Sequence, residues 1–153
     1  MCMEVPLLDK NDVVVPQRQL LLSPLDVLQS IYDMSPALVP HVFGKGVEEC
    51  WEGVREDDPR WVAHGALRER PDWKKRALPI VLHGDAATFT TRGEHSMFVL
   101  DWRGLLAERF EGWVIPIWAM VKACSTKEAS DACWKRTVHL FNAALDGGAP
   151  TSG

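Results

Sequence analysis

The sequence lacks any apolar run near the roughly 20 residues that a membrane-spanning helix needs. Its first residues lack the charged and apolar regions of a secretory signal peptide. The four cysteines lie far apart among 153 residues, so reduced thiols are expected rather than a disulfide framework. These absences predict a soluble intracellular protein, cytoplasmic or nuclear, with no membrane partner.

Positive charge is also scarce. The net charge is −4, made up of −5 in residues 1–70 and +1 in residues 71–153, so neither half has the basic surface of a stand-alone nucleic-acid-binding protein. The basic cluster Lys74, Lys75 and Arg76 could hold a phosphate backbone, and the alternative is a solvated lead-in to the strand that follows. The chain has no phosphate-binding glycine motif, internal repeat or low-complexity segment.

Tyrosine occurs once, whereas tryptophan occurs seven times. The tryptophans are spread over most of the chain, at positions 51, 61, 73, 102, 113, 118 and 134. This spread predicts structural anchors rather than one cofactor site. With 46% apolar residues, the chain is long enough to bury the core of a single domain.

The most informative segment of the sequence is 78–90, which predicts a strand followed by a functional aspartate. Its run Ile80, Val81, Leu82 is too short for a helix and predicts a strand buried on both faces. Gly84 permits a sharp turn, which would leave Asp85 at the carboxyl end of the strand, where open α/β sheets place functional residues. The alternative is a simple turn in which Asp85 bonds its own backbone.

The residues before this strand are divided into two parts. Residues 1–22 contain several prolines and predict a loose N-terminal arm. Residues 23–71 predict a helical portion, with one helix that Ser23 caps and Pro36 ends, a second over 47–55 and a weaker third over 60–68.

Residues 72–147 form the predicted α/β portion, and residues 148–153 a disordered tail. Segments 96–102 and 117–121 predict two further strands, the first antiparallel to 78–84. A capping box at Ser125 and Glu128 begins a helix over 128–146 that ends at Gly147. Its face toward the sheet is predicted to consist of four large apolar residues, Trp134, Val138, Phe141 and Leu145.

The predicted fold is therefore α/β, with N-terminal helices followed by a small, mainly antiparallel three-stranded sheet and a C-terminal helix. A strand with aspartate, two more strands and a helix is the opening order of the ribonuclease-H-like fold. In that fold, carboxylates hold two metal ions about 3.5–4 Å apart, which activate the attacking oxygen and stabilise the leaving one.

Asp85 is the candidate first catalytic carboxylate and metal ligand, and Asp101 is the candidate second ligand. Asp101 is alternatively an edge or register residue of its strand. His83 lies on the same side of the strand as Asp85 and could pair with it, or be a structural histidine. One aspartate cannot position magnesium, because hard cations need several oxygen ligands.

Cysteine chemistry has little support in the sequence. Cys124, Cys133 and His139 do not have a usual zinc-site spacing. Nothing marks any cysteine as an exposed thiol of low pKa, so nucleophilic catalysis is not predicted.

Residues 20–150 resemble a multicopy, uncharacterised protein family of protist genomes. The similarity lies in the basic lead-in, the apolar strand with His83-Gly84-Asp85, and the later strand with Leu100-Asp101-Trp102. The layout is similar, more distantly, to the start of the catalytic domain of Tnp2-type cut-and-paste transposases. The family's frequent glycine after the aspartate is Ala86 here.

The resemblance implies a catalytically inactive, truncated transposon-derived protein that retains the first part of a DDE-type transposase-like core, with Asp85 as a vestigial catalytic residue. It implies no cofactor in this chain, and magnesium and a DNA partner only in a longer relative. The alternative is a non-enzymatic, tryptophan-rich module that binds another protein.

Overall fold

The protein has mixed α and β structure, as predicted. The computed structural model describes residues 1–55, 57–59, 70–88, 90, 95–107 and 113–146. The strands are β1 (Cys2–Leu8), β2 (Val14–Leu20), β3 (Ile80–Thr88), β4 (Ser96–Gly104) and β5 (Ile115–Val121). The helices are α1 (Pro24–Met34), α2 (Val39–Phe43), α3 (Val47–Glu52), α4 (Trp73–Arg76) and α5 (Lys127–Asp146). The predicted helix 60–68 and the predicted tail lie outside the described residues.

The strands form two antiparallel sheets, a hairpin of β1 and β2 and a three-stranded sheet in the order β3-β4-β5. The chain divides into two compact units. The first contains Met1–Ser30, Leu82–Trp102 and the chain from Val114, and the second contains Ile31–Val81 and Arg103–Trp113. None of the helices in the described ranges combines the length and apolar character that a membrane span needs.

Residues 1–22, for which the sequence predicts a loose arm, contain the hairpin. Pro6 lies opposite Pro16, so the two residues without an N–H group share one rung of the ladder. The turn is closed by the Asp9 carboxylate, which accepts the N–H groups of Asn11 (2.8 Å) and Val13 (2.9 Å). The proline content of residues 1–22 therefore does not exclude strands, because a strand tolerates proline at positions where pairing needs no N–H donor.

The hairpin is fastened to the rest of the first unit by hydrogen bonds to β5 and α5. The Leu22 N–H donates to the Ile117 carbonyl (2.8 Å), and Gln19 Nε2 donates to the Ala119 carbonyl (3.1 Å). Thr126 Oγ1 donates to the Pro6 carbonyl at 2.6 Å. The second half of the hairpin thus follows β5, and β1 reaches the start of α5.

Helices α1 and α5 each begin at a hydroxyl side chain that caps the first turn. Ser23 Oγ accepts the N–H of Asp26 at 3.3 Å, as the sequence predicts for α1. At α5 the cap is Thr126, whose Oγ1 accepts the N–H of Ala129 at 3.0 Å, so the predicted capping box at Ser125 is wrong by one residue. The Ser125 hydroxyl instead donates to the Lys122 carbonyl.

The prediction that 78–84 is the most buried strand is wrong. β3 does pair with β4, but it lies at the edge of the sheet, and its residues from Leu82 to Thr88 are exposed. β4 is the central strand, and Leu100 and Trp102 are almost completely buried. An apolar run of three residues records hydrophobicity but not the number of neighbouring strands, so it could not distinguish a central strand from an edge strand.

The predicted face of α5 is right for Phe141, which packs on the sheet, and wrong as a whole. Trp134, Val138 and Leu145 are exposed, and the buried stripe is the adjacent one, formed by Ala129, Cys133, Thr137 and Leu140. The sheet supplies the large side chains: Trp102 packs edge-on against Phe141, with ring centroids 5.9 Å apart. Large residues on the sheet need small residues opposite them, because protein interiors are close-packed.

Trp118 joins β5 to the helix. Its ring stacks on Phe98 of β4 at 5.3 Å and meets Trp134 edge-on at 6.3 Å. Its Nε1 donates to Thr137 Oγ1 at 3.2 Å, and that hydroxyl donates to the Cys133 carbonyl at 2.9 Å. Each of these buried polar groups therefore has a partner, which the low-polarity interior requires.

The second unit is held by close backbone approaches and by Trp51. A side chain on Gly104 would collide with the backbone of Phe43, and one on Gly44, at φ 94°, would collide with Leu106. Trp51 is buried, donates from Nε1 to the Ala77 carbonyl at 2.6 Å, and meets Trp73 edge-on. Glycine at 44 and 104 thus permits strand-like contact between two segments of this unit.

The identity of the buried α5 face can be tested by two substitutions on that helix. Cys133→Leu adds volume at a site with no exposed surface and should lower the free energy of unfolding by about 1–3 kcal/mol. Val138→Ala, at a side chain that is 54% exposed, should change it by less than about 0.5 kcal/mol. Denaturant titrations followed by tryptophan fluorescence measure both values, and the reverse order would place the predicted face on the sheet.

Candidate functional site around Asp85

Asp85 lies inside a strand and not at its end. β3 continues through Ala86 and Ala87 to Thr88, so the predicted turn after Gly84 does not occur. Asp85 is exposed, and its Oδ1 accepts the N–H of Ala86 at 2.7 Å. This local bond to the next residue's amide resembles the one expected in the simpler interpretation, but it forms in an extended strand and not in the turn which that interpretation assumed.

Gly84 serves packing rather than chain reversal. It is not among the residues with positive φ. A Cβ at this position would lie 3.1 Å from Phe98 Cζ and 3.5 Å from Leu100 Cδ1. The small residue on β3 therefore makes room for two large residues of β4, a requirement that cannot be read from the segment 78–90 alone.

The position of Gly84 also defines the two faces of β3. Gly84 faces Phe98, whose ring stacks on Trp118, and Trp118 bonds to α5. Because side chains alternate along a strand, His83 and Asp85 must point to the opposite face, away from α5.

His83 pairs with Asp101 rather than with Asp85. Its Nδ1 lies 3.4 Å from Asp101 Oδ2, across β3 and β4. The His83 side chain is largely exposed, whereas that of Asp101 is only 13% exposed. Asp101 also lies at the register shift between β4 and β5, in keeping with its interpretation as a register residue.

The geometry does not gather a set of metal ligands. Among the described residues, no group of three or more His, Cys, Asp or Glu side chains could hold a metal ion. Asp85 is bonded to its neighbour's amide, and Asp101 is occupied with His83. The two candidate carboxylates therefore do not fit the pair of magnesium ions that the ribonuclease-H-like fold implies.

The basic cluster before β3 forms the short helix α4 and is partly neutralised. Arg76 Nε pairs with Asp72 at 2.6 Å, and Lys75 lies 3.6 Å from Glu48. Lys74 lies over the Trp73 ring, with its ammonium 5.9 Å from the ring centroid. These contacts favour the solvated lead-in over a phosphate-binding surface.

Cys133 is the cysteine with the clearest chemical environment. It lies on the buried face of α5, and burial raises the pKa of its thiol to about 11. The thiolate is the reactive form of cysteine, so this position opposes both nucleophilic catalysis and metal binding. The sequence named both His83 and Asp101 but not their pairing, since a contact between strands leaves no local signal.

No family model, curated protein or solved structure matches the chain. The resemblance to the protist family and to transposases therefore stays a hypothesis that depends on the motifs quoted above.

The environment of Cys133 predicts a large difference in thiol reactivity. At pH 8 in the native protein, iodoacetamide should label the exposed Cys2 and leave Cys133 unlabelled, because Cys133 is buried and protonated. Stability contributed by the protonated thiol should be present below the ordinary pKa of about 9.0 and fall as the pH rises toward 11. Peptide mass spectrometry measures the labelling, and equal labelling of the two cysteines in native protein would contradict the buried position.

Proposed function

We propose that this is a transposon-derived protein that retains the first part of a DDE-type transposase-like core and has no catalytic activity of its own. In this proposal, Asp85 corresponds to the first carboxylate of the ancestral site. The observation that carries the proposal is the position of Asp85 within the first strand of an antiparallel β3-β4-β5 sheet that is followed by α5.

The element order supports the proposal. A ribonuclease-H-like core begins with three antiparallel strands and a helix, and its first strand carries an aspartate. Here β3 carries Asp85, β4 and β5 follow in the order of the sheet, and α5 packs on the side chains of β4 and β5.

The arrangement of the carboxylates supports the absence of activity. Phosphodiester transfer by two metal ions requires several carboxylates that converge on one point. Asp85 is exposed on an edge strand, and Asp101 faces a histidine. Magnesium releases its water ligands reluctantly, so a single hydrated carboxylate is a weak site.

The alternative, a tryptophan-rich interaction surface, receives less support. Trp51, Trp102 and Trp118 are buried and serve as structural anchors. Trp113 and Trp134 are exposed, but Trp134 also contacts Trp118. Much of the tryptophan content of the described chain therefore stabilises the fold.

A cleavage assay tests the catalytic part of the proposal. The purified chain should not nick or join oligonucleotides with Mg²⁺ or Mn²⁺, because the described residues contain no group of three or more potential ligands that could hold such an ion. Asp85→Asn should behave like the wild type, and so should Asp131→Asn, a matched change on the exposed side of α5. Metal-dependent cleavage that is lost only in Asp85→Asn would make this chain an enzyme.

The origin of the protein is tested separately by the genome that encodes it. We expect many copies, including longer relatives that continue into further strands bearing Asp or Glu. Copy number and the presence of these additional strands are read directly from an assembled genome. A single-copy gene whose relatives all have the same length would contradict the transposon origin.

A further inference from the structure

The outer edge of β3 presents a defined set of backbone groups. Leu105 donates its N–H to the Pro79 carbonyl at 2.9 Å, so residue 79 points toward β4. Because antiparallel residues alternate between the two edges, Leu82, Gly84 and Ala86 then point their N–H and carbonyl groups away from β4. In the described part of the chain, β3 has β4 as its paired strand and no strand paired to its other edge.

The local bond at Ala86 agrees with this alternation. Its N–H donates to Asp85 Oδ1 at 2.7 Å. The carboxylate therefore covers one outward donor of an otherwise open edge. Open edges of this kind are templates for pairing with another strand.

The residues around Gly84 are complementary to the same residues of a second, antiparallel copy of β3. In a two-fold antiparallel pair centred on Gly84, His83 of each copy lies opposite Asp85 of the other. Leu82, which is 43% exposed, lies opposite Ala86. We propose that β3 pairs with β3 of a second copy in this register, which joins the two three-stranded sheets through two His83–Asp85 contacts.

The alternation of backbone direction along β3 places the His83–Asp85 contacts at the pairs where side chains approach most closely. Gly84 and the Leu82–Ala86 pairs form the hydrogen-bonded rungs, because their backbone groups point outward. His83 and Asp85 fall at the non-hydrogen-bonded rung, where Cα atoms are about 4.5 Å apart and side chains are closest. On pairing, the Ala86 N–H exchanges the Asp85 carboxylate for a carbonyl of the second copy, which frees Asp85 for His83.

Charge selects this arrangement over its competitors. Among antiparallel registers, only the one centred on Gly84 brings His83 opposite Asp85, and a parallel in-register pair would bring the two Asp85 side chains together, which is unfavourable. Asp101 contacts Nδ1 of His83, so the second ring nitrogen, Nε2, is the one that meets Asp85 of the other copy. A two-fold pair is also closed and uses each outer edge once.

This interface does not depend on the proposed origin of the protein. It is tested on the full 153-residue chain by sedimentation equilibrium over a concentration series from about 10 μM to about 1 mM, which suits a weak interface. The wild type should approach twice the monomer mass. Asp85→Lys places a cation opposite His83 and should weaken dimerisation by about tenfold or more.

Two variants control for charge and test the register. Glu52→Lys makes the same change of charge at an exposed position of α3 and should leave dimerisation unchanged. Exchanging the charges by His83→Glu with Asp85→Lys should restore the dimer in an Asp101→Asn background. That background is needed because a glutamate at position 83 would otherwise lie against Asp101.

Hydrogen exchange provides a test without mutation. The amides of Leu82, Gly84 and Ala86 should become protected as concentration rises, while circular dichroism confirms that every variant is folded. A wild type that stays monomeric, a dimer that survives Asp85→Lys, or a folded exchange variant that stays monomeric would overturn the proposal. Hydrogen-exchange protection of the β3 amides that does not change with protein concentration would also overturn it, because the second copy would then bind to another surface.

Discussion

The packing of Trp118 against α5 is the interaction on which the first unit depends. The indole is stacked on β4, bonded to Thr137 and placed against a stripe of small residues. A buried indole needs both apolar neighbours and a partner for its N–H. Thr137 supplies that partner only when this side of α5 faces the sheet, so one hydrogen bond and the small side chains together fix the rotation of the helix.

The position of α5 against β4 and β5 is accompanied by the exposure of Asp85 on β3. Its described ring contacts go to Trp102 of β4 and Trp118 of β5, and β3 remains at the exposed edge. A carboxylate on such an edge keeps its hydration, which limits its use as a metal ligand. The proposed two-fold dimer places a further strand beside β3, so it depends on this open edge.

The site was only partly predictable from the sequence, and the particular residues show why. His83 and Asp85 were correctly placed on one face, because alternation is a local property of strands. The partner of His83 is Asp101, which belongs to another strand. A small residue is needed at position 84 because Phe98 and Leu100, which also lie on that strand, occupy the space beside it. Contacts between residues that belong to different strands leave no mark on either segment alone.

The sequence by itself determined the mixed α and β class, the start of α1 at Ser23, and the strands near 96–102 and 117–121. Caps and apolar periodicity act over a few residues, so they can be read directly. Tertiary structure decided which strand is central, which stripe of α5 is buried, and that residues 2–20 form a hairpin. These outcomes depend on the volumes and hydrogen-bonding groups of neighbours distant in sequence, because close packing selects complementary surfaces rather than the most hydrophobic ones.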